Sequence, residues 1–305
     1  MPTNTSDRTT VAILGSGPSG LACALTLSRS MVETIVISSD STAPRNTASP
    51  FVAALPGMDR NSPAEVRAAI RKDILSYPFA RFRNSDATAL QDQAGGFQLD
   101  LSDGSSVFAD KVLLAMGMVD IYPDVANLAD YWGSSIINCP FCHGYEWRNT
   151  RWGIYADRQE VLDAAEVYRH WSNELTYFID PSLHLTEERR TQFESLGISI
   201  CEALPVAVNG TSGSLTEAVF SDQQPIAIDC MLVFPFQKQT ELVTALDLQL
   251  TSDGYVGVDE GFRTSVSGIY AAGDMTYAGH QNTPTALHMG NMAAATIVMD
   301  LCFKK

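Results

Sequence analysis

Positive charge is scarce in this 305-residue chain: Lys and Arg total 20 against 35 acidic residues, a formal net charge of −15. Nucleic acid and anionic membrane surfaces need clustered cations, and no Lys/Arg-rich run is present, so neither is an expected partner. No apolar run is expected to reach spanning length. The N-terminus, Met1-Pro2-Thr3-Asn4-Thr5-Ser6-Asp7, has neither the basic nor the apolar region of a secretory signal. A soluble, cytoplasmic protein is the expectation, and the sequons Asn4-Thr5-Ser6 and Asn209-Gly210-Thr211 read as accidental. Cysteine is sparse too, six in all, too few and too scattered for a secreted disulfide scaffold. Cys23, Cys201, Cys230 and Cys302 lie in apolar runs and are expected in the core.

What remains is one close pair, in Cys139-Pro140-Phe141-Cys142-His143-Gly144-Tyr145-Glu146. Two sulfurs at this spacing can close a small disulfide ring. If the segment opens a helix, its amide dipoles favour one thiolate. His143 could shuttle the proton that thiol–disulfide exchange releases, or it could simply cap a turn. A zinc half-site would need two further ligands, and neither a second CxxC nor an HxxxH is present, so no metal centre is expected. Phe141, Tyr145 and Trp147 could shape an apolar substrate pocket or serve the core.

The length allows two domains. Thr10–Leu14 reads as a buried parallel strand entering Gly15-Ser16-Gly17-Pro18-Ser19-Gly20, followed by a helix over Leu21–Arg29 and a strand over Thr34–Ile37. Strand, glycine-rich turn, helix and strand within about thirty residues is the setting a dinucleotide fingerprint requires. The glycines let backbone approach a pyrophosphate, and the helix N-terminus supplies amides. Asp40 stands close to where a ribose-binding acid is expected, though it also suits a turn over Ser38–Ser41. Residues 41–62 read as a loop, Pro63–Leu75 as a helix, and Ala87–Ala115 as strands ending at Gly117. A second α/β unit follows: strands at Trp152–Tyr155, Leu175–Ile179 and Ile198–Ile200, with helices over Gln159–Trp171 and Thr186–Leu196. Near the C-terminus, Gly268-Ile269-Tyr270-Ala271-Ala272-Gly273-Asp274 is a strand closing on Gly-Asp. A helix follows from Thr283 to Leu301, with small residues Ala286, Gly290, Ala293, Ala294 and Ala295.

Together these motifs resemble the low-molecular-weight thioredoxin reductases over Thr10–Leu301. The resemblance implies an α/β fold with a discontinuous FAD domain, residues 1–120 and 239–305, and an inserted smaller α/β domain, residues 121–238. It implies FAD held by Gly15, Gly17, Pro18, Ser19, Gly20, Asp40, Gly117, Gly273 and Asp274, with Gln281, Asn282 and Thr283 near the flavin ring. Cys142 would be the flavin-side sulfur and Cys139 the exchanging one, in a homodimer. One feature departs from that family. Where the inserted domain should open with a glycine-rich turn for NADPH, the chain reads Ala156-Asp157-Arg158-Gln159-Glu160. A Cβ there blocks backbone approach, and a carboxylate repels phosphate. The arginines expected for a 2′-phosphate are replaced by Ile179-Asp180-Pro181-Ser182. The inserted domain therefore reads as a degenerate NADPH domain. Cys-Pro-Phe-Cys-His-Gly-Tyr-Glu is similar to the dithiol oxidases of this fold that close disulfides in gliotoxin and holomycin. That likeness implies a small dithiol substrate, O2 as acceptor and H2O2 as product, with Cys139, Cys142 and His143 catalytic. An NADPH-dependent reductase and a non-catalytic flavin-binding redox sensor are the alternatives.

Overall fold

The computed structural model describes residues 6–40, 43–211, 213–277 and 279–303. Asn4 and Thr5 of the first sequon, and Ser41 of the expected turn, lie outside the described residues. Contacts divide the chain into one unit of residues 1–47, 54–120 and 237–305 and a second of residues 48–53 and 121–236.

In chain order, the first unit begins with β1 (Ser6–Leu14), α1 (Pro18–Arg29), β2 (Thr34–Ile37), α2 (Pro63–Leu75) and β3 (Ala80–Arg83). Next come β4 (Ala87–Gln93), β5 (Gly96–Leu101), β6 (Ser106–Leu114) and the short β7 (Val119–Ile121). The second unit holds α3 (Leu128–Tyr131), β8 (Ile136–Ile137), α4 (Pro140–His143), β9 (Arg151–Ala156), α5 (Gln159–Asp163) and α6 (Ala165–Tyr168). It continues with β10 (Glu174–Ile179), α7 (Glu187–Ser195), β11 (Ser199–Cys201), β12 (Ala207–Thr211), β13 (Ser214–Val219), β14 (Ile226–Ala227) and β15 (Cys230–Leu232). The chain returns through β16 (Phe236–Lys238), α8 (Glu241–Thr244), β17 (Ile269–Ala271) and α9 (Thr283–Phe303).

The sheet of the first unit runs β3-β2-β1-β6-β5-β4, with β17 also on β6. β6 is long enough to take β5 antiparallel on its first half and β17 parallel on its second. Alternation along β1 splits the core. Val11 and Ile13 pack with Leu21, Leu27 and Ile297, while Ala12 and Leu14 face Leu99, Val107 and Val256. α1 starts with Pro18 at its first turn, where a missing N–H costs nothing, three residues before the apolar stripe suggested by the sequence. α2 matches its expected bounds and is set by a capping box: Glu65 N–H donates to Ser62 Oγ, and Ser62 N–H donates to Glu65 Oε2.

α9 corrects two expectations. It has 21 residues and is long and apolar enough to cross a membrane, contrary to the reading that no run reaches spanning length. Its buried stripe of Gly290, Ala293, Ala294 and Ile297 nevertheless packs in the core, and Asp300 pairs with Arg263 there. At its end Cys302 is exposed rather than buried. Gly290 lets α9 lie directly on α1, since a Cβ there would sit 1.9 Å from Ser19 O.

In the second unit β11-β10-β9-β15-β8 form a parallel sheet, and β12-β13-β14 an antiparallel one. The helix expected over Gln159–Trp171 is two short pieces, interrupted at Ala164 (φ −93°, ψ 12°). The segment 48–53, read as part of a first-domain loop, belongs with this second unit because it packs on it. Gly133 lies so close to Ala48 O that a Cβ would meet it at 2.5 Å. The return to the first unit comes at Gln237, slightly before the expected 239.

Candidate functional site

Parallel register aligns the strand ends of the first unit: Leu14 pairs with Ile37 and Leu114, and Leu114 pairs with Ala271. The turns that follow these strands therefore share one sheet edge, where ligands bind in open α/β sheets. It gathers Gly15–Gly20, Asp40, Gly117 and Gly273–Asp274.

The local geometry suits a pyrophosphate. Gly15 (φ +109°) turns so tightly that a Cβ would meet Ala115 O at 2.4 Å, and a Cβ on Gly20 would meet Gly15 O at 2.0 Å. Gly17 caps α1 without a side chain, and nothing lies within 4 Å of where its Cβ would be. The first amides of a 12-residue helix are thus left for a ligand. Ser19 Oγ is buried there without a partner. Asp40 lies in a turn after β2, accepting from Asn84 Nδ2 (2.7 Å) while its own N–H donates to Asn84 Oδ1 (2.9 Å). Asn282 caps α9, its Oδ1 accepting from Thr285 N–H, with Thr283 the first helical residue.

Sequence reasoning missed the hub of this unit, Arg45. Its Nε and Nη2 grip both oxygens of Asp120 (2.7 and 2.8 Å), and Nη1 donates to Asp274 Oδ2 and Gln281 Oε1 (both 2.8 Å). Gln237 Nε2 donates to Gln281 Oε1 and Asp120 Oδ1, and Tyr255 OH donates to Gln237 Oε1. Burial raises the pKa of Asp274 above its ordinary value, with Arg45 opposing. Burial also works against the charge on Arg45, but Asp120 and Asp274 hold its pKa above normal. Arg45 and Asp120 are 75 residues apart in the chain, and no local pattern joins them.

In the second unit Cys139 and Cys142 form a disulfide, with Cα atoms 5.3 Å apart. Pro140 starts the single helical turn α4, and Cys139 caps it: Cys142 N–H lies 3.2 Å from both Cys139 Sγ and Cys139 O. That amide would favour a thiolate on Cys139 after reduction. Gly144 ends the turn where a Cβ would strike Trp171 at 2.6 Å. Phe141 and Tyr145 are exposed, Phe141 edge-on to Trp171 and Tyr145 under Arg148. His143 Nε2 lies 2.8 Å from Ser49 Oγ, Phe51 packs 5.4 Å from its ring, and burial holds its pKa below the ordinary 6.5.

The β9–α5 turn is filled by its own side chains. Arg158 is paired with Asp157 (2.8 and 3.1 Å), donates to Phe234 O (2.7 Å) and lies 3.8 Å over the Phe236 ring. α5 behind it has only five residues. β10 ends beside β9 at Ile179, so Asp180 adds a second carboxylate to that edge. Tyr155 is pushed up to about 12, by burial first and then by the charges of Asp157, Asp180 and Asp124. The edge is negative where a dinucleotide phosphate would bind.

A glycine-rich nucleotide edge in one unit and a redox disulfide in the other define a flavin-dependent oxidoreductase. The chain belongs to the pyridine nucleotide-disulphide oxidoreductase family, whose model matches residues 9–151 and 182–290. The interval between them holds the β9–α5 turn. The chain is 30% identical to "Thioredoxin reductase tcpT" of Claviceps purpurea (strain 20.1), over 98% of this chain and 97% of that protein. It is 25% identical to "Thioredoxin reductase sirT" of Leptosphaeria maculans, over 86% of this chain and 85% of that one. Two solved structures share the fold: HlmI (TM-score 0.90, 24% identity, 99% of this chain and 96% of that one) and a putative thioredoxin reductase TrxB from Bacillus anthracis (TM-score 0.90, 24% identity, 97% and 99%).

Proposed function

We propose that this protein is an FAD-dependent oxidase, a cytoplasmic homodimer, that converts a small-molecule dithiol to its intramolecular disulfide, with O2 as acceptor and H2O2 as product. A dithiol diketopiperazine is the substrate class that the active-site likeness favours. The observation that carries the reading is the β9–α5 turn, where the Asp157–Arg158 pair fills the space in which glycines would admit a second dinucleotide.

The residues act as follows. One substrate thiolate attacks Cys139 Sγ, forming a mixed disulfide and releasing Cys142 as a thiolate. The second substrate thiol gives its proton to His143 and attacks its partner sulfur. The substrate disulfide forms, Cys139 leaves as a thiolate, and two electrons now reside on the cysteine pair. FAD, which Gly15, Gly17, Gly20 and the first amides of α1 would hold, would supply the two-electron link between this dithiol and O2. The sum is dithiol plus O2 giving disulfide plus H2O2.

The test is an anaerobic titration with dithiothreitol and with NADPH separately, followed by air. Bleaching of the flavin by dithiothreitol alone, with H2O2 formed on aeration, supports the oxidase. Bleaching by NADPH makes the protein a reductase, the activity in the relatives' names. No catalytic oxygen consumption with any dithiol leaves a redox sensor. Cys142→Ser should keep the yellow colour and lose turnover; wild-type turnover in that variant would sink the scheme.

A further inference from the structure

The nucleotide edge of the first unit carries acids of its own. Gly273 lies against the opening turn of α1: a Cβ on it would stand 3.0 Å from Ser19 Cβ and 3.4 Å from Ser19 Oγ, the buried hydroxyl without a partner. Asp274 is the next residue, so an acid stands at the turn that suits a pyrophosphate. Asp120, whose side chain is 5% exposed, adds its charge to that of Asp274. A pyrophosphate dianion would be repelled by both. Arg45 lies between them, 2.7 Å from Asp120 and 2.8 Å from Asp274. The two acids and one guanidinium sum to −1; without the guanidinium the sum is −2. A guanidinium has five N–H donors. Nε gives one to Asp120, Nη2 one to Asp120, and Nη1 both of its own, to Asp274 and Gln281. The single Nη2–H left over is too few for the two-pronged grip that guanidinium uses on phosphate. The effect of Arg45 on a bound anion therefore runs through the carboxylates it offsets. The β9–α5 turn is built otherwise: among the described residues Arg158 pairs with Asp157 only, and Asp180 and Asp124 also bear on Tyr155 there.

We infer that Arg45 sets the affinity of the first unit's nucleotide edge for FAD, by offsetting the charges of Asp120 and Asp274 beside the turn that takes the pyrophosphate. This rests on FAD as the flavin of the proposed function. Arg45 touches no reacting atom in this scheme and is a positioning residue. The titratable and charged groups that face Asp274 are Arg45, Asp120 and Tyr255, with Asp253 acting on Tyr255 in turn. Burial holds the Tyr255 hydroxyl above its ordinary range, so it stays neutral at and below pH 8.

The test is a charge series read by FAD release from the holoenzyme on dilution, followed by flavin fluorescence, with Tm measured alongside. The three positions sum to 0 in Asp120→Asn, to −1 in the wild type and in the double variant Arg45→Met/Asp120→Asn, and to −2 in Arg45→Met. At pH 8 the FAD Kd should follow that order. Arg45→Met should bind about tenfold more weakly than the wild type, and Asp120→Asn more tightly. The double variant should return to within about threefold of the wild type, although it has lost every hydrogen bond of Arg45. The deficit of Arg45→Met should shrink as pH falls, because Asp274, already held above the ordinary carboxylate range by burial, then takes up a proton and loses its charge. Wild-type affinity in Arg45→Met, or a double variant as weak as Arg45→Met, overturns the inference. Should Arg45→Met fail to fold, Asp120→Asn decides: unchanged or weaker FAD binding there overturns it too. A wild type that holds no flavin removes the FAD reading and this inference with it, whereas a yellow wild type with a flat charge series removes the inference alone.

Discussion

Arg45 donates to Asp274 Oδ2 at 2.8 Å while two of its nitrogens grip Asp120, so one guanidinium neutralises two carboxylates of the nucleotide edge. Asp274 follows Gly273 at the end of β17, and Asp120 is the last residue before the chain leaves the first unit. The cation thus holds two distant chain segments in one polar network. Removing it would leave two buried acids uncompensated.

Arg45→Met should therefore lower stability by about 3 kcal/mol, read as a fall in Tm and in the denaturant midpoint. The pH dependence should change as well. Asp274 binds its proton more tightly folded than unfolded, so its contribution is greatest at low pH and declines as pH rises through the folded value. Without Arg45 that decline should steepen and move to higher pH. An Arg45→Met protein as stable as the parent at pH 8 would show that the pairing carries no net energy.

His143 is held below its ordinary 6.5 by burial, so the neutral ring is the form present at neutral pH. Between the folded value and 6.5 the unfolded chain binds more protons at this site. Stability from this group is full above 6.5 and is lost as pH falls through the folded value. The acid limb of kcat/KM for dithiol oxidation should accordingly lie below 6.5, and it should vanish in His143→Asn along with about a hundredfold of rate. An acid limb unmoved in that variant would assign the titration to another group.

Replacing Asp157 and Arg158 with glycine should open the β9–α5 turn. The wild type should show no saturable quenching of NADPH fluorescence. The double-glycine variant should bind NADPH about tenfold more tightly, since it removes two Cβ obstacles and the ion pair that fills the turn, with no change in net charge. Saturable, tight binding by the wild type would reverse the proposed direction of electron flow.

Gly290→Ala should cost about 2–3 kcal/mol, because its Cβ would press on the Ser19 backbone where α9 crosses α1. The strain acts on the first turn of α1, so flavin retention on dilution should fall with Tm. A variant of unchanged Tm that keeps its flavin would mean the helices separate at little expense.

Sequence order made the local devices legible. Gly15, Gly17 and Gly20 fit together over six residues, and Cys139 and Cys142 span a single helical turn, so their chemistry follows from spacing that the backbone itself enforces. The empty place where a second glycine turn should stand was readable for the same reason. Helix ends with a cap, such as Ser62–Glu65 before α2, were placed correctly. The helix over Gln159–Trp171 was not, because its break at Ala164 has no proline or glycine to announce it.

The sequence by itself determined two things: a nucleotide turn at the end of β1, and a sulfur couple with a histidine beside it. Tertiary structure alone decided what surrounds them, bringing Arg45 to Asp120 and Asp274 across 75 and 229 residues and Ser49 to His143 across 94. Hydrogen bonds act over about 3 Å regardless of separation along the chain. Which groups a folded backbone brings that close depends on packing that no local pattern records.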